Sequence, residues 1–554
     1  MYRLLGCSTL IIAAASAQSF IGGYPDYDPT GELEPPKPSP SPMLLVQVQP
    51  RHSIYDSSEN YGEFIVDAGL SYYHGRPWTN ATPTTAGGSA TAPFGMLDFD
   101  IRLEENDQPL VSNSVAVNTT NNVVQFDLNM LQPRLEPYGI VLYGAPPSSY
   151  ANESYTATTE IYYLPAKYNG STVKVDNLYG GLVVANHVTN YSFVDILPFG
   201  FYTDCGGYLN YSLANVTAYK DLGFNAINPV CSFLDGDLDN VFNWMDELDL
   251  WYQYDMRHVF DNGLNTSQLI EALPPVKDRS NLLSWYTADE PDGWQYALNQ
   301  TKIAYDILKE MDPYHPTALV LNCDNYYFNE YSLGADYIME DAYPVGINAT
   351  YSKWNTTCNE TYGDCGCDDC VGELQDVSNR LDDFFDYQLW LGETQKPLWA
   401  VLQAFSGEGY WARDPTPDET WAMMLISFNH GAKGIMSWTF PASTTLEQAH
   451  GTMAKVATTL PVSGFLVGAQ PVRVVVPGHD LLDVAYWEVN GTTMLGFANL
   501  DYADSSEEIT IELPIAVGGV TNQPWGSLEW EVANGMVKTS QLKGLATSFV
   551  ILCA

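Results

Sequence analysis

Between residues 195 and 440 the chain alternates short apolar runs with stretches in which apolar residues recur every three or four positions. Such alternation is typical of βα units that build a parallel sheet. The eight runs with the length and composition of buried strands are Ile196–Tyr202, Phe224–Pro229, Leu250–Asp255, Leu282–Ala288, Ala318–Asn322, Tyr337–Asp341, Leu398–Phe405 and Gly434–Phe440. Eight units within about 260 residues predict a (β/α)8 TIM barrel. An open doubly wound sheet is the alternative, but no G-x-G-x-x-G sequence follows any of these runs.

Two of the intervening helices have clear ends in the sequence. Thr416 is the predicted N-cap of one helix, Pro417 its first residue and Glu419 the partner in a capping box, and Gly431 ends it. A second helix is predicted from Trp294 to Met311, where the following Asp-Pro pair stops it.

The segments on both sides of the barrel have a strand-like pattern. Short alternating runs between Gly, Asn and Pro clusters predict an N-terminal β-sandwich, and similar runs after Pro461 predict a smaller C-terminal one. Residues 21–42 contain seven prolines, which favour an extended linker. The expected organisation is a signal peptide (1–17), a Pro-rich linker (18–42), a sandwich (43–189), the barrel (190–462) and a second sandwich (463–554).

The first residues indicate secretion. Arg3 precedes an apolar stretch, and Ala15-Ser16-Ala17 is a typical signal-peptidase site. Thirteen N-x-S/T sequons agree with a secreted glycoprotein, extracellular or in the cell wall. A membrane anchor is the alternative for the apolar stretch, but it is too short to span a bilayer.

The cysteines also suit an oxidising compartment. Nine are present, and loss of Cys7 with the signal peptide leaves eight. Four of them, Cys358, Cys365, Cys367 and Cys370, lie close together and predict either a loop held by two disulfides, which we favour, or a structural zinc site. Cys205, Cys231, Cys323 and Cys553 can supply two further bridges, with the pairing open.

The charge excludes several partners. Lys and Arg number 23 against 67 Asp and Glu, so the net charge is 23 − 67 = −44. Such a surface repels nucleic acids and anionic membranes, while 45% hydrophobic residues indicate a folded chain. No H-E-x-x-H, G-x-S-x-G or G-x-x-x-x-G-K-[ST] sequence is present. We expect a monomer with no metal and no cofactor.

Carboxylates follow several predicted barrel strands, at the end where barrel active sites lie. Asp289 and Glu290 end the fourth strand, Asp341 ends the sixth, and Glu408 follows the seventh. Paired carboxyls beside aromatic rings are what glycosidic-bond cleavage requires, because one donates a proton and the other attacks or activates water. The alternative is that Asp-Glu-Pro only caps the next helix with negative charge.

Aromatic and polar side chains near the same strand ends are candidates for sugar binding. Rings stack on sugar faces and amides bind hydroxyls, although each ring can equally belong to the core. The candidates are Tyr202, Asn228, Trp285, Trp294, Tyr343, Gln403, Trp411 and Trp438.

The run Trp285-Tyr-Thr-Ala-Asp-Glu-Pro291 resembles the Asn-Glu-Pro motif at the end of strand four in the retaining β-glycosidase superfamily of barrel glycoside hydrolases. The resemblance extends over about residues 190–554, and the flanking sandwiches look like those that accompany such barrels. It implies that Glu290 is the general acid/base. Asp289 replaces the family's Asn, and Gln403 stands where the family has its nucleophilic Glu. Asp341 is therefore the preferred second carboxylate, with Asp289 and Glu408 as rivals.

These observations predict a secreted glycoside hydrolase acting on a polysaccharide or oligosaccharide. Apolar and acidic neighbours should raise the pKa of Glu290 and keep it protonated. A non-catalytic glycan-binding or cell-wall protein is the main alternative, and a transglycosylase would use the same residues. Carboxyls roughly 5–10 Å apart across an open cleft would suit hydrolysis, whereas a filled barrel mouth would favour the non-catalytic alternative.

Overall fold

The computed structural model describes residues 31–78, 94–147, 154–209, 212–231, 238–347, 370–407 and 411–553. Its first part is a β-sandwich. The strands are β1 (Met43–Pro50), β2 (Ile54–Asp56), β3 (Tyr61–Ser71), β4 (Arg76–Pro77), β5 (Met96–Leu103), β6 (Pro109–Ala116), β7 (Thr119–Asp127), β8 (Tyr138–Ala145) and β9 (Tyr155–Leu164). They form sheets in the orders β4-β1-β3-β7 and β2-β9-β8-β5-β6. In β5 the side chains of Leu97, Phe99, Ile101 and Leu103 alternate into the core between the sheets.

A small antiparallel sheet comes next and closes the N-terminal end of the barrel. It consists of β10 (Thr172–Val175), β11 (Leu182–Ala185) and β12 (Val194–Ile196). The Val173 amide donates to the Tyr314 carbonyl (3.0 Å), and Ser171 Oγ donates to the Leu282 carbonyl (2.8 Å). The domain boundary expected at residues 189/190 falls inside this sheet.

The barrel contains the eight parallel strands predicted from the apolar runs, closed in sequence order. They are β13 (Phe199–Asp204), β14 (Ala226–Val230), β15 (Trp251–Asp255), β16 (Leu282–Asp289), β17 (Thr317–Leu321), β18 (Tyr337–Glu340), β19 (Leu398–Ala400) and β20 (Ile435–Phe440). The largest difference is β19, which ends at Ala400 rather than Phe405, since beyond it only Gln403 pairs with Trp438 as an isolated bridge. Large side chains, including Trp251, Tyr337 and Trp399, fill the interior.

The helices surround the barrel. They are α1 (Leu213–Asp221), α2 (Leu238–Glu247), α3 (Thr266–Ala272), α4 (Gln300–Met311), α5 (Phe328–Ser332), α6 (Gln375–Leu391), α7 (Pro417–Asn429), α8 (Thr444–Ala457) and α9 (Val462–Gly468). The predicted capping box of α7 is confirmed, with Thr416 and Glu419 bonded reciprocally. The prediction that α4 begins at Trp294 is wrong, because tight turns occupy the residues before Gln300, including one in which the Trp294 amide donates to the Glu290 carbonyl.

The C-terminal part is the predicted smaller sandwich. Its strands are β21 (Val472–Arg473), β22 (Leu482–Val489), β23 (Thr492–Asn499), β24 (Ile509–Ile511), β25 (Gly519–Trp525), β26 (Glu531–Ala533), β27 (Met536–Thr539) and β28 (Thr547–Cys553). The sheets have the orders β21-β22-β23-β28-β25 and β24-β27-β26. The larger sheet encloses a core with the smaller one and also packs on the barrel through α7 and α9.

The cysteine predictions are met in part. Cys205 and Cys231 form a disulfide after β13 and β14. Cys323 and Cys553 do not form the second bridge, since Cys323 is buried after β17 and Cys553 is exposed on β28. Cys370 is disulfide-bonded, whereas Cys358, Cys365 and Cys367 lie outside the described residues.

Neither a metal cluster nor a membrane span is found in the described ranges. No group of three or more metal-ligating side chains occurs among these residues. No helix within them is long and apolar enough to cross a bilayer.

Candidate active site

Glu290 lies directly after β16, at the C-terminal mouth of the barrel, with 2% of its surface exposed. Its backbone is in the left-handed region (φ +47°), which costs a non-glycine residue about 1–2 kcal/mol. The following Pro291 adds to this cost by disfavouring helical conformations at the preceding residue. Strain of this kind persists where the surrounding structure holds a side chain in a required direction.

The Glu290 and Asp341 carboxyl groups both line one small cavity at the mouth, and each shifts the pKa of the other. Glu290 Oε2 and Asp341 Oδ1 are both buried and receive no hydrogen bond from a protein donor. Two neighbouring buried carboxylates repel each other, so protonation of one of them is favoured. Burial raises the pKa of both carboxyls well above their usual values; the Asp341 charge raises that of Glu290 further, as predicted, whereas the interaction with Glu290 lowers that of Asp341, so the proton is favoured on Glu290.

Asp289 is held by a buried cation. Arg257 Nη1 lies 2.6 Å from Asp289 Oδ2, and Arg257 Nε donates to Asp255 Oδ2 at 2.9 Å. The Tyr286 hydroxyl donates to the other Asp289 oxygen at 2.6 Å. Burial raises the pKa of Asp289, but the Arg257 charge opposes this shift and stabilises the carboxylate. Both oxygens are therefore occupied, which makes Asp289 a poorer nucleophile than Asp341.

A small cavity adjoins the three carboxyl groups. Its lining consists of Tyr202, Asp289, Glu290, Val320, Asp341, Tyr343, Val401 and Trp438. The Tyr202 and Trp438 rings meet edge to face, with centroids 5.4 Å apart. The cavity volume is about 10 Å³, roughly enough for one water molecule and far below that of a sugar ring. The mouth is thus narrower than the open cleft that would suit hydrolysis.

Three of the predicted sugar-binding residues, Tyr202, Tyr343 and Trp438, lie at this cavity. Trp411 supports it from behind, because its indole N–H donates to the Tyr343 carbonyl at 2.9 Å. Asn228 lies inside the barrel beside Tyr202, where its amide contacts Gln253.

Gln403 is occupied by backbone groups. Its amide oxygen accepts from the Val345 N–H (2.8 Å), and its amide nitrogen donates to the carbonyls of Val345 (2.9 Å) and Phe405 (3.2 Å). The side chain therefore holds together the segments that follow β18 and β19. This structural role differs from the sugar contact that the sequence led us to expect.

The two remaining tryptophans lie apart from the cavity lining. Trp285 is fully buried between the barrel and its helices, where its indole N–H donates to Asp312 at 2.9 Å. This position corrects the prediction that it stacks on sugar, because alternation along β16 turns Tyr286 inward and Trp285 outward. Trp294 is 44% exposed, four residues after Glu290, and its role stays a prediction. Glu408 lies outside the described residues.

Arg257 and Tyr286 are the site residues that the sequence reasoning missed. Arg257 follows the end of β15 by two residues, and β15 is the neighbour of β16 in the barrel. A search for cations just past each predicted strand end would have found it.

Comparisons with known proteins were made with the whole chain. No protein-family model matches it, and no curated protein does. Similar solved structures include an endoxylanase from Clostridium papyrosolvens (10% identity, 65% of this chain and 97% of that chain, TM-score 0.40). An α-amylase from Anoxybacillus (9%, 64% and 98%, TM-score 0.43) and a β-glucuronidase from Parabacteroides merdae (10%, 92% and 76%, TM-score 0.32) are further examples. Similarity at this level assigns no activity, so the function is argued from the site.

Proposed function

We propose that this protein is a secreted glycoside hydrolase that cleaves O-glycosidic bonds in a polysaccharide or oligosaccharide. The observation that carries the proposal is the neighbouring, buried carboxyl groups of Glu290 and Asp341 at one cavity of the barrel mouth, beside the rings of Tyr202, Tyr343 and Trp438. The surroundings favour the proton on Glu290 over Asp341, which is the direction that an acid and a nucleophile in glycosidic cleavage need.

In the first step Glu290 donates its proton to the leaving oxygen, and the bond between that oxygen and the anomeric carbon breaks. An Asp341 oxygen attacks the same carbon and forms a glycosyl ester. In the second step water attacks that carbon, its proton returns to Glu290, and Asp341 leaves as a carboxylate. This retaining route needs the two carboxyl groups about 5–5.5 Å apart, whereas the inverting route needs them about 6.5–9.5 Å apart to admit water.

The Asp289–Arg257 pair stabilises the site around these steps. Asp289 remains a carboxylate beside Glu290, and its negative charge further favours the protonated form of Glu290. Arg257 limits this effect by neutralising part of the charge.

The test is a polysaccharide panel with product analysis, using the secreted wild type and two isosteric variants, Glu290→Gln and Asp341→Asn. Exposed Glu310→Gln and Asp480→Asn are the matched controls. We expect each site variant to lose at least about a thousandfold in turnover, with unfolding temperatures near wild type and unaffected controls. Near-normal turnover by Glu290→Gln would overturn the proposal.

The second candidate is a glycan-binding protein without catalytic activity. The small cavity favours it, because a sugar ring enters only if the surrounding rings move. Binding to a polysaccharide without any release of reducing ends by the wild type would support this candidate over hydrolysis. Products longer than an oligosaccharide substrate would instead indicate transglycosylation.

A further inference from the structure

The cations nearest the candidate site are already paired. Arg257 is largely buried, and its guanidinium contacts Asp289 Oδ2 at 2.6 Å and Asp255 Oδ2 at 2.8 Å. The Tyr202 and Trp438 rings, which line the cavity, each lie 5.7 Å from that guanidinium. Arg380, behind Asp341, contacts Asp324 at 3.0 Å and donates to the Asn322 carbonyl. Among the described lining residues, no Lys or Arg reaches the cavity.

The charge left at the mouth is negative. Asp255 and Asp289 together outweigh the single charge of Arg257, and the carboxyl groups of Glu290 and Asp341 add no positive charge. The whole chain has the same sign, with a net charge of −44. An anionic group entering this buried site would lose its hydration and gain no counter-charge.

We infer, on the basis of the proposed function, that the sugar bound beside Glu290 carries no acidic group, so that the substrates are neutral or amino-substituted glycans and not uronic-acid or sulfated ones. A protonated amine is compatible with the site because carboxylates and the faces of Tyr202 and Trp438 both attract cations. An acidic sugar is rejected at the cleavage position even where its hydroxyl pattern fits.

The experiment compares each polysaccharide that the wild type cleaves with the same polymer after selective oxidation of its C6 hydroxymethyl groups to carboxylates. The 4-nitrophenyl glucosides and glucuronides, in both anomers, form a second matched pair. We expect kcat/KM to be at least tenfold lower for the acidic member of each pair. The difference should persist at high salt, because a buried interaction is screened little. Equal or faster cleavage of the acidic member overturns the inference while the proposed function stands.

Asp289→Asn provides an internal check. It removes one carboxylate and leaves Arg257 with a single acidic partner, so the neutral-to-acidic ratio of kcat/KM should fall whatever happens to the absolute rate. An unchanged or increased ratio would contradict the inference.

A binding experiment distinguishes the inference about substrate charge from the proposed hydrolase function. Tryptophan fluorescence of Glu290→Gln is titrated with hexasaccharides from cellulose, chitin and deacetylated chitin, and with the C6-oxidised cellulose hexasaccharide. Weaker binding of the oxidised sugar supports the inference even if the wild type cleaves nothing. Tighter binding of the oxidised sugar, or binding of none of the four, overturns it.

Discussion

His430 Nε2 lies 2.7 Å from Asp483 Oδ2, and this contact joins the end of α7 in the barrel to β22 in the C-terminal sandwich. The other ring nitrogen lies 2.8 Å from Asp382 of α6, which also pairs with Arg473. A doubly protonated ring donates to both carboxylates at once. Although burial opposes the charge, these hydrogen bonds raise the pKa of His430 to about 9.

The contact between His430 and Asp483 predicts that the link between the barrel and the C-terminal sandwich depends on pH. Because the pKa of His430 is higher in the folded protein than its ordinary 6.5, its stabilisation is complete below pH 6.5 and lost as the pH rises through about 9. We expect His430→Gln to lower the free energy of unfolding by about 3 kcal/mol at pH 6 and by much less at pH 10. Urea unfolding at both pH values measures this. His479→Gln is the control, and an equal loss at both pH values would contradict the prediction.

Arg257 should contribute strongly to stability as well as to the site. Replacing it by Met leaves Asp255 and Asp289 buried without a counter-ion, which typically costs about 3–5 kcal/mol. Lys302→Met, which removes an exposed pair with Asp306, should cost less than about 1 kcal/mol. Urea midpoints for the two variants test the difference, and comparable midpoints would show that the buried pair is not needed.

Gln403→Glu should not restore the nucleophile of the β-glycosidase superfamily. A carboxylate accepts from the Val345 amide but cannot donate to the Val345 and Phe405 carbonyls, and it is buried as well. We expect a destabilisation of about 1–3 kcal/mol and no gain of turnover. Exposed Gln395→Glu is the matched control. A stable, more active Gln403→Glu protein would refute this prediction.

The Asp341 charge should control the protonation of Glu290. In Asp341→Asn the neighbouring negative charge is absent, so Glu290 should ionise at a lower pH than in the wild type, while burial still raises its pKa above the ordinary value. Infrared difference spectroscopy follows the C=O stretch of the protonated carboxyl during a pH titration, and Glu290→Gln assigns the band. A midpoint that is unchanged or higher would mean that the two groups are not coupled.

The barrel could be predicted from the sequence because buried parallel strands appear as continuous apolar runs between amphipathic helices. The α7 cap was equally predictable, since Thr416, Pro417 and Glu419 act within one turn. The inward or outward direction of a strand residue was not, because a fully apolar strand shows no alternation that marks its interior face. Trp285 was assigned to the mouth for this reason.

The contacts between strand ends required the structure for another reason. The Arg257–Asp289 pair joins two segments that are separated by a helix. The hydrogen bonds between Gln403 and Val345 depend on the position at which β19 stops pairing with its neighbouring strands. Glu290 was found from its local motif, but its position beside Asp341 at one cavity depends on side-chain directions that neither strand end reveals alone.

The small sheet across the N-terminal end of the barrel makes the barrel inseparable from the sequence before it. A chain shortened to begin at residue 190 would lose β10 and β11 and expose apolar side chains such as Trp251 and Trp399 to water. Such a fragment should aggregate during expression. Any exchange of this barrel between proteins, by recombination or by engineering, therefore has to carry Ser171–Ile196 along with it.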